Sequence, residues 1–360
     1  MAVRKTPTVN ELPVSPRRIE AEWESQDAIW LAWPHNRDTW PGRFEPIQPF
    51  YAAWVRLIAE NTPVRILAAG DVARAAEKEL GPLPANVELV PIPTNDCWIR
   101  DFGPTYVRNQ ATGKIEAIDW RYNAWGGKYP PWQADDAAAA QIANYLGIPC
   151  HRRDLTLEGG AIEADGTGRL LTFRSCVQTD TRNANWSNEK IVQELYRSLG
   201  VVEIVWLDGG GLLGDDTDGH IDQLARFVDP YNVVVAVCDD LGDSNAAGLI
   251  ANFRQLKLWG QQTQPTVDVH RLPIPPARYI DEKRVPESYC NFLRIGPSRM
   301  LVPTFGSPDS DDRALGILRN LCPACDVVGV DCQDLVWGLG ALHCASSNQP
   351  SASQSCSNQP

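Results

Sequence analysis

The chain has 360 residues, of which 43% are hydrophobic and 22% charged, and it carries a formal net charge of −12. That balance suits a globular protein with a sizeable core and argues against disorder. The negative charge speaks against nonspecific binding to nucleic acid or anionic membranes and suits a cationic substrate, although solubility alone would also account for it.

No run reaches the roughly 18 apolar residues of a membrane span. The opening Met1-Ala-Val-Arg-Lys-Thr-Pro7 lacks the apolar region of a secretory signal. Ten cysteines in a chain this long are too sparse for a disulfide scaffold, so a reducing, cytoplasmic compartment is expected.

Residues 1–18 read as a polar, proline-punctuated lead-in. A strand follows over 28–33, ended by Pro34, then a helix over 50–60, a strand over 64–68 and a helix over 72–80. A strand over 87–92 runs into Asn95-Asp-Cys-Trp-Ile-Arg-Asp101. Further strands are predicted over 169–173, 201–207, 226–228, 233–237, 292–295 and 300–302. Helices are predicted over 134–146, 188–198, 246–258 and 311–321. Strands and helices mix throughout with no linker between them, so residues 1–345 read as one catalytic α/β domain. Residues 346–360 are low in complexity and nearly free of apolar side chains, and they are expected to form a disordered tail.

Four clusters place costly polar groups beside glycine turns and strand ends: Trp98-Ile-Arg-Asp101-Phe-Gly-Pro, Leu157-Glu158-Gly-Gly160, Thr217-Asp218-Gly-His220-Ile-Asp222 and Gly338-Leu-Gly-Ala-Leu-His-Cys344. Singly each has a plain alternative. An Arg-Asp pair is usually a surface ion pair, Glu-Gly-Gly is usually a turn, and a lone cysteine is usually a small hydrophobe.

Together, and in this order, the clusters resemble the agmatine deiminase family of the guanidino-group modifying superfamily, relatives of the bacterial-type peptidyl-arginine deiminases. The resemblance extends to Asn123-Ala-Trp-Gly-Gly127 and to Trp33-Pro34, and it spans roughly residues 15–344. The run before Cys344 departs from the family pattern at Leu339 and Ala341 and keeps the cysteine. The resemblance implies a pentein-type propeller of five ββαβ-like units with pseudo-fivefold symmetry and the active site in its central channel. It implies hydrolysis of agmatine to N-carbamoylputrescine and ammonia, with no metal and no cofactor.

The chemistry makes its own demands on these residue types. A guanidinium carbon is flanked by three nitrogens and stabilised by resonance, so it must be held charged and aligned for attack. Asp101 and Asp222 suit that clamp, because carboxylates pair with planar N–H forks in bidentate fashion. Cys344 is the candidate nucleophile, and the bound cation can lower its pKa. His220 is the candidate general acid and then base, with Glu158 orienting it or binding substrate nitrogens. Read as a strand, His220 and Asp222 face one side. Asp218, Trp98 and Trp125 are candidate pocket residues, the two rings for the substrate's methylene chain, although core packing explains the rings equally well.

Gly209-Gly-Gly211-Leu-Leu-Gly214 matches GxGxxG, but the row of carboxylates after it would repel a pyrophosphate, so no nucleotide is expected. Cys322-Pro-Ala-Cys325 lacks a second matching pair, and no zinc or redox role is assigned. His343 is expected to be structural, its strand neighbours pointing to opposite faces. The competing readings are deimination of peptidyl-arginine, free arginine or another guanidino compound, amidino transfer, and an inactive pentein that serves as a binding module. The chemistry points to a small cationic guanidino partner, with neither nucleic acid nor membrane, and is compatible with a homo-oligomer.

Overall fold

The computed structural model describes residues 15–352. No helix among them is long and apolar enough to cross a membrane. The fold is α/β and divides into several small sheets, five of which share one strand order.

In each of the five, an antiparallel pair is followed by a parallel neighbour, and a helix makes the parallel crossover. Thr105–Asn109 and Ile115–Arg121 are antiparallel, and Cys150–Thr156 joins in parallel after helix Gln133–Leu146. Ile162–Ala164, Arg169–Phe173 and Glu203–Leu207 repeat the order around helix Asn188–Leu199. Ala225–Asp229, Asn232–Val237 and Asp268–Pro273 do so around helix Ala246–Gln262, and Leu293–Ile295, Arg299–Thr304 and Asp326–Asp331 around helix Pro308–Leu321. The fifth sheet joins the two ends of the chain. Ser346–Pro350 pairs antiparallel with Gln26–Ala32, which pairs in parallel with Val64–Leu67 across helix Ile47–Ala59. A parallel partner always needs such a crossover, because its strand must start again at the same end of the sheet.

The helices follow from apolar spacing and end on turn chemistry. Helix Ile47–Ala59 buries Ile47, Tyr51, Ala52, Trp54, Val55 and Ile58, a stripe at helical spacing. Helix Asn188–Leu199 starts where the Ser187 hydroxyl accepts the Lys190 N–H, and it stops at Gly200, whose φ of 71° is left-handed.

One expectation is overturned here. Residues 346–350, assigned to the tail by composition, form an edge strand. Polar partners hold it: Trp30 Nε1 donates to Gln349 Oε1 at 2.8 Å, and Arg100 Nη2 donates to Asn348 Oδ1 at 2.6 Å. Tertiary pairing outweighs the low strand propensity of Ser-Ser-Asn-Gln-Pro. The rest of that expectation, from residue 353 onward, lies outside the described residues, as does most of the lead-in. The lead-in's end, Arg17–Ile19, adds a strand antiparallel to Thr105–Asn109.

Candidate active site

The polar clusters occupy equivalent places in the repeated topology. Each unit reaches its first strand through a tight turn, and that turn carries a candidate residue. Asp101 lies in the short helix Ile99–Phe102 before strand Thr105–Asn109, and Glu158 caps the 3-10 turn Gly159–Ala161 before Ile162–Ala164. His220 and Asp222 flank the turn Ile221–Gln223 before Ala225–Asp229. Asn291 precedes Leu293–Ile295, and Cys344 precedes Ser346–Pro350. Two local expectations therefore change. His220-Ile-Asp222 is a 3-10 turn rather than a strand, and neither His343 nor Cys344 is in a strand.

The turns converge on Gly160. A β-carbon placed there would sit 2.7 Å from Asp101 Oδ1, 2.7 Å from His220 Nδ1 and 3.1 Å from Asp222 Oδ2. Cys344 Sγ lies 3.4 Å from the same Asp222 oxygen. Glu158, His220 and Asp222 are fully buried, and Asp101 and Cys344 nearly so. Gly160→Ala is expected to cut kcat/KM by about a hundredfold, because a methyl group takes the space between the three candidate side chains. Steady-state kinetics on the purified variant check this, and near-normal turnover would disprove the convergence.

Several buried polar atoms have no protein partner: Glu158 Oε2, Asp222 Oδ1 and both ring nitrogens of His220. The other carboxylate oxygens are fixed. Asp101 Oδ1 accepts the Gly160 N–H at 2.9 Å, and Asp101 Oδ2 accepts Trp125 Nε1–H at 3.0 Å. Glu158 Oε1 accepts Arg182 Nε–H at 2.7 Å, so Glu158 is held by an arginine and makes no hydrogen bond to His220, whose orientation by Glu158 was expected. His220 Nδ1 stands 3.6 Å from Asp101 Oδ1.

Burial governs the charge states. It pushes Asp101 up to about 6, with Asp222 and Glu158 adding to the rise and His220 opposing it. For His220 burial favours the neutral ring, but Asp101, Glu158, Asp222 and Asp215 outweigh it and raise the imidazole above its ordinary value. Burial, then Asp222 and Asp101, hold the Cys344 thiol well above its usual range. The resting site therefore pairs a neutral thiol with a readily protonated imidazole beside an excess of carboxylates.

The remaining predicted residues have definite places. Asp218, at a φ of 70°, bridges Lys128 at 2.8 Å and Arg182 at 2.7 Å, at the rim of the cluster rather than inside it. The Trp98 ring lies against the turn that carries Cys344, and a β-carbon on Gly340 would meet it at 2.6 Å. Trp125 is left-handed at φ 55° and directs its N–H inward to Asp101, a polar role beyond packing. Arg100, expected to pair with Asp101, instead meets Glu22 at 2.9 Å.

Sequence reasoning missed Asn291, His343 and Arg182. Asn291 Nδ2 donates to Cys344 Sγ at 3.0 Å, and its Oδ1 accepts the backbone N–H groups of Ala341, His343 and Cys344. His343 Nδ1 meets Asp222 Oδ2 at 2.7 Å. Asn291 sits at the one repeated turn with no glycine cluster, and its placement before a strand over 292–295 is the signal that could have found it.

The sequence profile of the Porphyromonas-type peptidyl-arginine deiminases matches residues 18–350. The chain belongs to that family. Among curated members of this deiminase family, a putative agmatine deiminase of Yersinia pseudotuberculosis is 34% identical, covering 95% of this chain and 98% of its own. The agmatine deiminase of Pseudomonas aeruginosa is 33% identical over 92% of this chain and 95% of its own. Among solved structures, a Cys-to-Ser variant of C. jejuni agmatine deiminase with substrate bound matches with a TM-score of 0.85 at 30% identity, covering 94% of this chain and 97% of that one. An amidinotransferase of Streptomyces griseus, at 12% identity and a TM-score of 0.52, shares the fold alone.

Proposed function

We propose that this deiminase hydrolyses agmatine to N-carbamoylputrescine and ammonia through a covalent thiouronium on Cys344. The observation that carries the reading is the set of buried acceptors without protein partners beside that thiol. Buried acceptors require donors, and a guanidinium offers five N–H donors in a plane. Glu158 Oε2 and Asp222 Oδ1 would take them, with Asp101 completing the clamp. This reading treats the five sheets as blades of one pseudo-fivefold propeller, with the five turns at its hub.

In the proposed reaction the cation enters first and offsets the carboxylate field that holds the thiol neutral, so the thiol releases its proton to solvent and a thiolate forms only when substrate is present. Sulfur attacks the central carbon, and the Asn291 amide steadies it. Protonated His220 gives its proton to the departing nitrogen as ammonia leaves; the neutral ring then draws one proton from the water that attacks the thiouronium, and the C–S bond breaks as the remaining hydroxyl proton passes to the departing sulfur and restores the thiol. The product would feed putrescine formation.

Two measurements test this. The first is pH dependence. Asp101 titrates near 6, and its ionised form binds the cation, so activity is present above that value and lost as pH falls through it. The kcat/KM profile is expected to fall about tenfold per unit below pH 6, and a flat profile down to pH 5 would remove Asp101 from the clamp.

The second is substrate choice. Free arginine adds a carboxylate, which would need a cationic partner if buried. The basic groups beside the site are committed: Arg182 to Glu158 and Asp218, Lys128 to Asp218 and Asp216, and Arg121 to Asp154. Agmatine is therefore expected to exceed arginine by about a hundredfold in kcat/KM, with arginine methyl ester recovering part of the gap. Ammonia release from a panel of guanidino compounds measures it. Equal values for agmatine and arginine would sink the agmatine assignment and leave the deiminase chemistry standing.

A further inference from the structure

The imidazole of His343 is buried between two carboxylates that come from distant parts of the chain. Its Nδ1 lies 2.7 Å from Asp222 Oδ2, and its Nε2 lies 2.8 Å from Glu22 Oε1. A neutral ring carries one N–H, so its bare nitrogen would face a carboxylate oxygen inside hydrogen-bond distance, lone pair against lone pair. The Asp222–His343–Glu22 unit must therefore hold two protons.

The groups around it decide where the second proton sits. Arg100 Nη1 reaches Glu22 Oε1 at 2.9 Å, and Arg226 Nη2 reaches Glu22 Oε2 at 2.6 Å. Both guanidiniums stabilise the Glu22 carboxylate and disfavour a proton on it. Arg226 is shared with Glu163 at 2.8 Å, which dilutes its repulsion of His343. On the other side Asp222 faces His220 and Cys344. Burial and the two guanidiniums press His343 toward its neutral form and outweigh Glu22 and Asp222, so the field of the buried surroundings as a whole holds the ring below its ordinary value. The contacts themselves nonetheless call for the imidazolium, because each ring nitrogen faces a carboxylate oxygen within 2.8 Å and two guanidiniums disfavour a proton on Glu22.

We infer that His343, clamped as an imidazolium between Asp222 and Glu22, is a positioning residue that keeps Asp222 ionised and its Oδ1 turned to the substrate. The geometry supplies the reason: Oδ2 is occupied by the imidazolium, while Oδ1 is buried with no protein partner. Without that cation, Asp222 would be a buried carboxylate beside Asp101, and a proton would settle on one of the two. Glu22 lies in a cavity with Arg100, Gly159 and Glu163, on the far side of the Gly159–Gly160 turn. Glu22 thus sets the charge of the catalytic layer without touching the substrate. The inference rests on the deiminase reading of the cluster.

The test has one arm independent of turnover. The chain has only five histidines, so selective 15N labelling with His343→Gln for assignment resolves this ring. Both ring nitrogens are expected to remain protonated from pH 6 to 8 in the wild type. In the kinetic arm, His343→Gln is expected to lower kcat/KM for agmatine at pH 7 by about a hundredfold, and Glu22→Gln by about tenfold. Removing a neighbouring cation lets the coupled Asp101–Asp222 pair hold a proton more tightly, so the acid limb that Asp101 sets near pH 6 should move up by about one pH unit in both variants, and activity should recover as pH rises. A purely structural defect would lower activity at every pH. Glu22→Gln keeps the side-chain size, so the test survives if His343→Gln does not fold. A singly protonated His343, or an acid limb that stays in place in Glu22→Gln, would overturn the inference. A wild-type protein inert toward agmatine with a doubly protonated His343 would overturn the agmatine reading and still support the charge state.

Discussion

Cys344→Ala is expected to fold with an unchanged melting temperature and to lose at least about a thousandfold in kcat. The proposed covalent route needs sulfur, and nothing else in the cluster replaces it: Asp101, Glu158 and Asp222 are weak nucleophiles, and the proposal gives His220 the proton transfers. The loss corresponds to about 4 kcal/mol of transition-state stabilisation. Folding should survive because the side chain is small, its Sγ makes only weak contacts with Asn291 and Asp222, and removing a thiol from a carboxylate-rich pocket relieves desolvation. Single-turnover ammonia release, together with a thermal melt, decides it. Substantial turnover by the purified variant would rule out this nucleophile, and with it the thiouronium.

A chain ending at Ala345 is expected to be unstable rather than merely inactive. It loses strand Ser346–Pro350 from the sheet that joins both ends of the chain. Trp30 Nε1, on a fully buried residue, loses Gln349, while Arg100 loses Asn348. Each buried donor left without a partner costs about 1–3 kcal/mol, and the open strand Gln26–Ala32, nearly all buried, becomes an edge available for aggregation. The sum is on the order of 5 kcal/mol, comparable to the whole stability of many domains. Circular dichroism melts of the truncated protein measure it, and a drop of only a few degrees would show that the closing strand is dispensable. The same truncation displaces Cys344, so stability and activity should fall together.

The two expectations differ in how far the sequence alone anticipates them. His220, Glu158, Asp101 and Asp222 stand out in the sequence because polar side chains beside glycine turns are costly to bury without a purpose, and Cys344 joins them through the family resemblance that the clusters carry together. The α/β character and the long helices are legible because their apolar spacing is local. Helix Asn188–Leu199, for instance, carries both its serine cap and its terminal glycine in the sequence.

The structure decided what depends on partners far away in the chain. First strands such as Ile162–Ala164 and Leu293–Ile295 have three residues each, too few for a period to register, so the five-times-repeated strand order left no repeat to read. Ser346–Pro350 is a strand only because Gln26–Ala32, more than 300 residues earlier, offers an edge and two polar anchors. His343 looked inert because a strand would turn it from the nucleophile's face, whereas the turn it occupies points it at Asp222 on one side and at Glu22, 321 residues away, on the other. Arg182 and Asn291 carry no motif at all; pairing across 24 and 53 residues makes one the anchor of Glu158 and the other the partner of Cys344. Local sequence therefore determined which side chains are chemically conspicuous. Tertiary structure determined which carboxylate oxygens are already bound and which are left for a substrate, because hydrogen-bond satisfaction depends on distance in space and not on separation in the chain.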